Sequence, residues 1–126
     1  MHLHAITIVV PDYDDGIAFY CGLAGFDLRA DIAQPDGKRW VMVAPPGSQA
    51  AILLAQADGP RQQSAIGNQT GGRVGFFLHS DDFKGDHGRM LAAGVHFAED
   101  PRHEPYGTVA VWHDPWGNRW DLLQLT

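Results

Sequence analysis

The stretch "VVPDYDDGIAFYCGLAGF" at residues 9–26 indicates how this chain is organised. An apolar strand ends at Pro11, an aspartate able to cap a helix follows, and an apolar helical segment then runs to a terminating glycine. The same order returns in "LHSDDFKGDHGRMLAAG" at residues 78–94. Three pairs of landmarks, Asp12 and Asp82, Gly25 and Gly94, and Gly47 and Gly117, are separated by 70, 69 and 70 residues. This agreement predicts an internal repeat.

Each half of the repeat is predicted to form a β-α-β-β-β module. The chain is therefore predicted to have an α+β fold. Pro35-Asp36-Gly37 marks a hairpin between two strands of the first half. The predicted strands are Ala5–Val10, Phe26–Ile32, Lys38–Ala44 and Ala50–Ala55, then Val74–His79, Val95–Ala98, Thr108–His113 and Arg119–Gln124. We expect one domain over residues 1–126, with a first module at 1–55, a polar, Gly-rich linker at 56–72 and a second module at 73–126.

One helix covers only one face of a four-stranded sheet, so each module leaves the other face without a helix. We expect the two modules to pair and these faces to form a cleft lined by two sheets. Such a concave surface is a common place for a small ligand.

Charge and cysteine content restrict the partners. A net charge of −6 argues against nucleic acid and against an anionic membrane surface, because both attract basic patches. No apolar run has the roughly 18 residues that a membrane span needs. The single Cys21 excludes an internal disulfide and indicates a reducing, cytoplasmic location.

The paired modules, "VVPDYDDGIAFYCGLAGF" near the start and "DPWGNRWDLLQ" at residues 114–124, resemble the vicinal oxygen chelate superfamily. That superfamily includes glyoxalase I, bleomycin-resistance proteins and extradiol dioxygenases. The resemblance covers nearly the whole chain and implies one of two functions. One is binding of a small molecule; the other is a lyase, isomerase or dioxygenase reaction. Fold alone does not choose between them.

In metal-dependent members of this superfamily, four strands each supply one ligand to an ion. The resemblance places those ligands at Ala5, Leu53, Gly75 and Asp121, and only the aspartate has a donor side chain. Since such sites need three or four protein ligands, we expect no metal and no other cofactor. The alternative is a divalent metal held by His4 and Asp121, which requires a bulge in the first strand that turns His4, and with it His2, inward.

Alternation along the strands defines the predicted cleft. With the loop residue Tyr106 added, the candidate ligand-binding residues are Thr7, Leu53, Gly75, Phe77, His79, Tyr106, Arg119 and Asp121. Gly75 and neighbouring alanines are expected to leave room for the ligand. We expect Asp121 to form an ion pair with Arg119, because an unpaired carboxylate in an apolar cleft would not stay charged.

The candidate catalytic residues are His79 and Asp121, the latter as a general base of raised pKa if Arg119 points to the mouth of the cleft instead of pairing with it. The other histidines, His87, His96, His103 and His113, show no ligand spacing and are interpreted as surface residues.

Two hypotheses follow. The first is a metal-free module that binds a small, partly apolar organic molecule. The second is an enzyme of the same superfamily, either metal-dependent or using Asp121 and His79. In both cases we expect a homodimer, because two small sheets with uncovered faces expose more apolar surface than a monomer usually does.

Overall fold

Two sheets carry the fold, and each half of the repeat builds one of them. The computed structural model describes every residue from Met1 to Thr126. The chain forms two compact units, Met1–Ile66 and Gly67–Thr126, and the boundary between them falls inside the segment predicted as a linker.

The first unit follows the predicted order of strands. Its elements are β1 (Ala5–Val10), α1 (Tyr13–Ile17) with a π-helical continuation (Ala18–Leu23), β2 (Asp27–Ala33), β3 (Arg39–Ala44), β4 (Ala51–Gln56) and α2 (Pro60–Ala65). The sheet order is β1-β4-β3-β2, with β1 and β4 parallel and the other pairs antiparallel. The Asp12 carboxylate caps α1, accepting from the N–H groups of Asp14 and Asp15.

Helix α1 packs on one face of this sheet. A β-carbon added to Gly16 would lie 3.0 Å from Leu54 Cδ1 and 3.4 Å from Val10 Cγ1, so the helix lies directly against these side chains. The strand residues on this face are buried valines, isoleucines and leucines. Arg39 also connects α1 to the sheet, through bonds to Asp14 at 3.0 Å and Asp31 at 2.7 Å.

The second unit repeats the plan with one more strand. Its elements are β5 (Val74–His79), α3 (Phe83–Ala93), β6 (His96–Phe97), β7 (Arg102–Glu104), β8 (Gly107–His113) and β9 (Arg119–Leu125). The sheet order is β5-β9-β8-β6, with β7 also paired to β8. Gly94 ends α3 in the left-handed conformation, as its position in the repeat predicts.

Stacked aromatic rings fill the helix side of this second sheet. Trp120 stacks on Phe76 and on Trp112, each with ring centroids 4.8 Å apart. Phe97 lies opposite Trp112 in the register and contacts His87 of α3, so α3 covers this face. The opposite side of the sheet, which we call the helix-free face of the second unit, carries Phe77, Val111, His113, Arg119 and Asp121.

The α+β class and the two β-α-β-β-β modules are confirmed. The prediction missed α2, inside the segment 56–72, and β7. Gly59 and Pro60 are typical of a loop, but Pro60 occupies the first turn of α2, where proline is tolerated. Strand β7 has only three residues and is followed by Pro105, so its signal is short.

Candidate ligand-binding site

The candidate residues of the first unit lie on the sheet face away from α1. Thr7 on β1 pairs in register with Leu53 on β4, and strand β1 has no bulge. Ala5 packs with Leu53 against a buried cluster of Met42, Ala44 and Ala51. His4 precedes β1 and is exposed, and its carbonyl accepts from the N–H of Ala51. The bulge that would turn His4 inward is therefore not present.

Trp40 belongs to the same face of the first unit. It lies opposite Ile32 on the neighbouring strand, and both side chains are exposed. Sequence alternation alone does not assign Trp40 to a face, because the register of β3 against its neighbours sets it.

In the second unit, Phe77 and Asp121 are direct neighbours on the helix-free face. They pair in register on the parallel strands β5 and β9, which neighbour at a spacing of about 4.8 Å. The Phe77 side chain is 66% exposed. An exposed aromatic ring thus lies beside a carboxylate.

Asp121 lacks the ion pair that the sequence predicts, and this expectation was wrong. Arg119 does point along the same face, but its guanidinium reaches the carbonyl of Gly72 at 3.4 Å and forms no ion pair with Asp121. Side chains two residues apart on one strand lie side by side. The long side chain of Arg119, however, reaches past the end of the strand. Asp121 Oδ1 is buried and has no hydrogen-bond partner.

Burial raises the pKa of Asp121, while Arg102 lowers it and Glu99 raises it further. Glu99 and Arg102 lie next to each other here, with Glu99 Oε1 accepting from Arg102 Nε at 2.7 Å. The other Glu99 oxygen accepts from the N–H of Val111 at 2.9 Å. Val111 lies on β8 between the residues that pair with β6 and those that pair with β7. Glu99 and Arg102 thus supply fixed charges beside the strand pair that holds Asp121.

His113 was predicted to lie on the surface, but it is only partly exposed. It pairs with Arg119 on β9 and with His96 on β6, and its Nε2 atom is buried without a hydrogen-bond partner. Burial lowers the pKa of His113, Arg119 and His96 lower it further, and Asp114 opposes them. A neutral imidazole is therefore favoured on this face.

His87 was also predicted to lie on the surface, but it is only half-exposed. Its ring lies 5.6 Å from that of Phe83 and 4.5 Å from that of Phe97, so it belongs to the packing of α3. Helical periodicity across Gly85 and Gly88 is too weak to reveal this. Both shallow depressions of this region, of about 400 and 260 Å³, have His87 in their walls.

The remaining candidates lie near the edges of the second unit. His79 is half-exposed, with its Nδ1 3.9 Å from Asp81 and its Nε2 3.5 Å from the N–H of Leu125. Tyr106 is exposed in the turn between β7 and β8.

The room expected at Gly75 is already filled. A β-carbon at this position would overlap Cγ2 of Thr70, whose hydroxyl donates to the carbonyl of Arg73. Gly75 also lies at a shift in the β5–β9 register. The glycine therefore accommodates Thr70.

The donor set does not fit the metal of the metal-dependent relatives. Ala5, Leu53 and Gly75 have no donor side chain, and no group of three or more His, Cys, Asp or Glu side chains is placed to hold an ion. Of the residues missed by the sequence, Glu99, Arg102 and His113 matter most to the chemistry of this face. Alternation along β8 could have placed His113 on one face, but only the register of β8 on β9 shows that this face is that of Asp121.

Comparison with known proteins identifies the class. The model of the Glyoxalase/Bleomycin resistance protein/Dioxygenase superfamily matches residues 2–122, and the chain belongs to this superfamily. An uncharacterized protein of Shewanella frigidimarina is 52% identical over 122 residues, which are 95% of this chain and 90% of the relative.

Among solved structures, the chain is similar to TnmS3, described as an antibiotic binding protein from Streptomyces sp. CB03234. The identity is 31% and the TM-score 0.83, and the match covers 100% of this chain and 97% of TnmS3. UcmS2 matches with 29% identity and a TM-score of 0.84, over 98% of this chain and 97% of that protein. In this chain, none of the helices has the length and apolar character needed to cross a membrane.

Proposed function

We propose that this protein binds a small, partly apolar organic molecule on the helix-free face of the second unit, without a metal ion. The observation that carries the proposal is the pairing of Phe77 with Asp121. Phe77 offers an exposed apolar surface, and Asp121 offers an acceptor atom that no protein group satisfies. Apolar walls with a few placed polar groups are typical of small-molecule sites.

The similarity to TnmS3 supports a binding function. The match covers the whole chain, and TnmS3 is described as an antibiotic binding protein. The lack of donors at Ala5, Leu53 and Gly75 supports binding without a metal. Elemental analysis of untagged protein checks the second point. We expect much less than one divalent ion per chain, and a stoichiometric ion lost in Asp121→Ala would contradict it.

The binding test uses a panel of phenols, amines and carboxylic acids with one or two rings. Binding is detected by ligand-observed NMR and quantified by calorimetry. We expect Phe77→Ala to weaken binding of the hits about tenfold, which corresponds to about 1.4 kcal/mol. Leu91→Ala is the matched control, because Leu91 is exposed on α3, on the other side of the sheet, and is expected to change nothing.

Equal affinities of the wild type and Phe77→Ala for every hit would contradict the proposed site. Circular dichroism of both variants checks that the sheet is intact.

One observation favours acid–base catalysis as a second candidate function. Burial raises the pKa of Asp121. A raised pKa is typical of carboxylates that exchange protons with substrates. His79 lies on the same side, diagonal to Asp121 on the neighbouring strand. A hit that is converted by the wild type and not by Asp121→Asn would support this candidate. If every hit is recovered unchanged after long incubation with the wild type, binding remains as the single candidate function.

We also propose that the protein works in the cytoplasm. Cys21 is the single cysteine and is free, and a chain without disulfides is typical of a reducing compartment. Fractionation of cells that express the untagged chain tests this, and we expect the protein with the cytosolic markers.

A further inference from the structure

Two polar atoms on the helix-free face of the second unit are buried without hydrogen-bond partners. They are Asp121 Oδ1 and His113 Nε2. Buried polar atoms in folded proteins are almost always satisfied, so each exception needs an explanation, and a water molecule or a ligand that supplies the partner is one. Two exceptions on one face of one sheet call for such a partner at both places.

The register fixes the relation between these two residues. Asp121 lies opposite Val111 on β8, and His113 is two residues further along β8, so the pair is diagonal across two antiparallel strands. Diagonal side chains of this kind are separated by about 7–8 Å. That spacing is too long for a direct hydrogen bond, and one small aromatic molecule can span it.

We propose that His113 is the second polar anchor of the ligand, and that the ligand is a flat molecule with a hydrogen-bonding group, such as a hydroxyl, at each end. This inference rests on the proposed binding function. Both residues keep part of their surface accessible while the unpartnered atom of each is buried, so a ligand reaches these atoms by displacing the groups that cover them.

The charges around the two anchors restrict the polar groups that the ligand can carry. Arg119 lies opposite His113 and disfavours a cation there. An anion would be repelled by the Asp121 carboxylate. A hydroxyl donates to Asp121, and a second hydroxyl donates to or accepts from the neutral His113 according to its tautomer.

Desolvation gives these anchors their effect on affinity. An unsatisfied buried polar group destabilises the free protein, because it has lost its hydrogen bonds to water without gaining others. A ligand that supplies the missing partner gains a full hydrogen bond, because the side chain was already taken out of water when the protein folded. Ligands with two polar ends are therefore expected to bind more tightly than ligands with one.

The experiment compares 2,6-dihydroxynaphthalene with 2-naphthol by calorimetry. These probes share the ring system and differ by one hydroxyl at the far end. In the wild type we expect the diol to bind about tenfold more tightly. In His113→Phe we expect this preference to disappear while the affinity for 2-naphthol is kept.

His96→Phe is the matched control, since it removes a histidine from the next strand, where the side chain is exposed. It is expected to keep the diol preference. If His113→Phe does not fold, His113→Leu replaces it, with circular dichroism as the check on both.

The outcomes separate the two proposals. A diol preference that persists in His113→Phe, or that is absent in the wild type, overturns the role of His113. If 2-naphthol still binds and Phe77→Ala weakens it, the proposed function stands. If neither probe binds to the wild type, both proposals are overturned for aromatic alcohols.

Discussion

At the scale of single residues, Asp121 is unusual because aspartate is depleted in strands and this one lies in the middle of β9. Its neighbour Arg119 does not neutralise it, and one of its oxygens has no partner. Stability alone does not explain an aspartate at this position, because an uncharged side chain would avoid the free-energy cost of taking a carboxylate out of water. The proposed ligand would supply the partner that this oxygen lacks.

The first prediction concerns Asp121→Asn and pH. Because burial raises the folded-state pKa of Asp121, the folded chain binds this proton more tightly than the unfolded chain. Below the unfolded pKa of about 3.9 the aspartate is neutral in both states. As pH rises through the folded pKa, the wild type loses stability relative to Asp121→Asn. We expect the variant to be more stable by roughly 1 kcal/mol at neutral pH.

Urea unfolding of both proteins between pH 3.5 and 7.5 is the measurement. A difference in unfolding free energy that does not change with pH would contradict the raised pKa.

The second prediction concerns Gly67, where the chain passes very close to the β8–β9 turn. Its φ is +72°, and a β-carbon added to it would overlap the carbonyl oxygen of Trp116. We expect Gly67→Ala to lower the free energy of unfolding by about 3 kcal/mol or more, from strain and from the clash together.

Gly71→Ala is the control. Gly71 has φ +69° but nothing within 4 Å of an added β-carbon. It keeps the backbone strain and lacks the clash, so a loss of only about 1 kcal/mol is expected. Equal losses in the two variants, by denaturant unfolding, would show that the close approach does not matter.

At the scale of elements, the turn "DPWGN" at residues 114–118 organises the last hairpin. Asp114 is buried, and its Oδ1 accepts from the backbone N–H groups of Trp116, Gly117 and Asn118. Its Oδ2 accepts from the Asn118 side chain at 2.6 Å. One carboxylate thus fixes the turn that sets β9 in register with β8, and hence places Asp121 opposite Val111.

The third prediction is that Asp114→Ala destabilises the protein by about 2–4 kcal/mol, because it leaves several buried donors unsatisfied. Asp36→Ala is the matched control: Asp36 is also a turn aspartate, but it is exposed and accepts only from the N–H of Lys38. We expect it to lose under about 1 kcal/mol. Thermal unfolding of the two variants compares them, and similar losses would contradict this role for Asp114.

At the scale of the whole molecule, we propose that the protein forms a homodimer. The hairpin β2–β3 lies at the edge of the first sheet, and its opposed side chains Ile32 and Trp40 are 58% and 40% exposed. Apolar surface of this kind favours association, and pairing of identical patches is the commonest solution.

The fourth prediction is a light-scattering mass of twice that of the chain at micromolar concentration. Trp40→Glu is expected to lower this mass towards that of a monomer. Leu91→Glu, at another exposed apolar position, is expected to leave the dimer intact. A monomeric wild type would reject the proposal.

The sequence by itself determined the repeat and the two β-α-β-β-β units, because their signals are local. Asp12 and Asp82 cap helices, Gly94 ends one, and apolar alternation marks β1 and β5. The same local signals assign Thr7 and Leu53 to one face of their strands. The short strand β7 and the helix α2 have weak local signals and escaped prediction.

Only the tertiary structure decided the chemistry of the candidate site. The direction of the Arg119 side chain, the filling of the space at Gly75 by Thr70, and the unsatisfied atoms of Asp121 and His113 depend on contacts between residues distant in sequence. Alternation predicts which face a side chain takes, but it does not give the register between strands. The register places His113 diagonal to Asp121, and burial then sets the charge that each of them can carry.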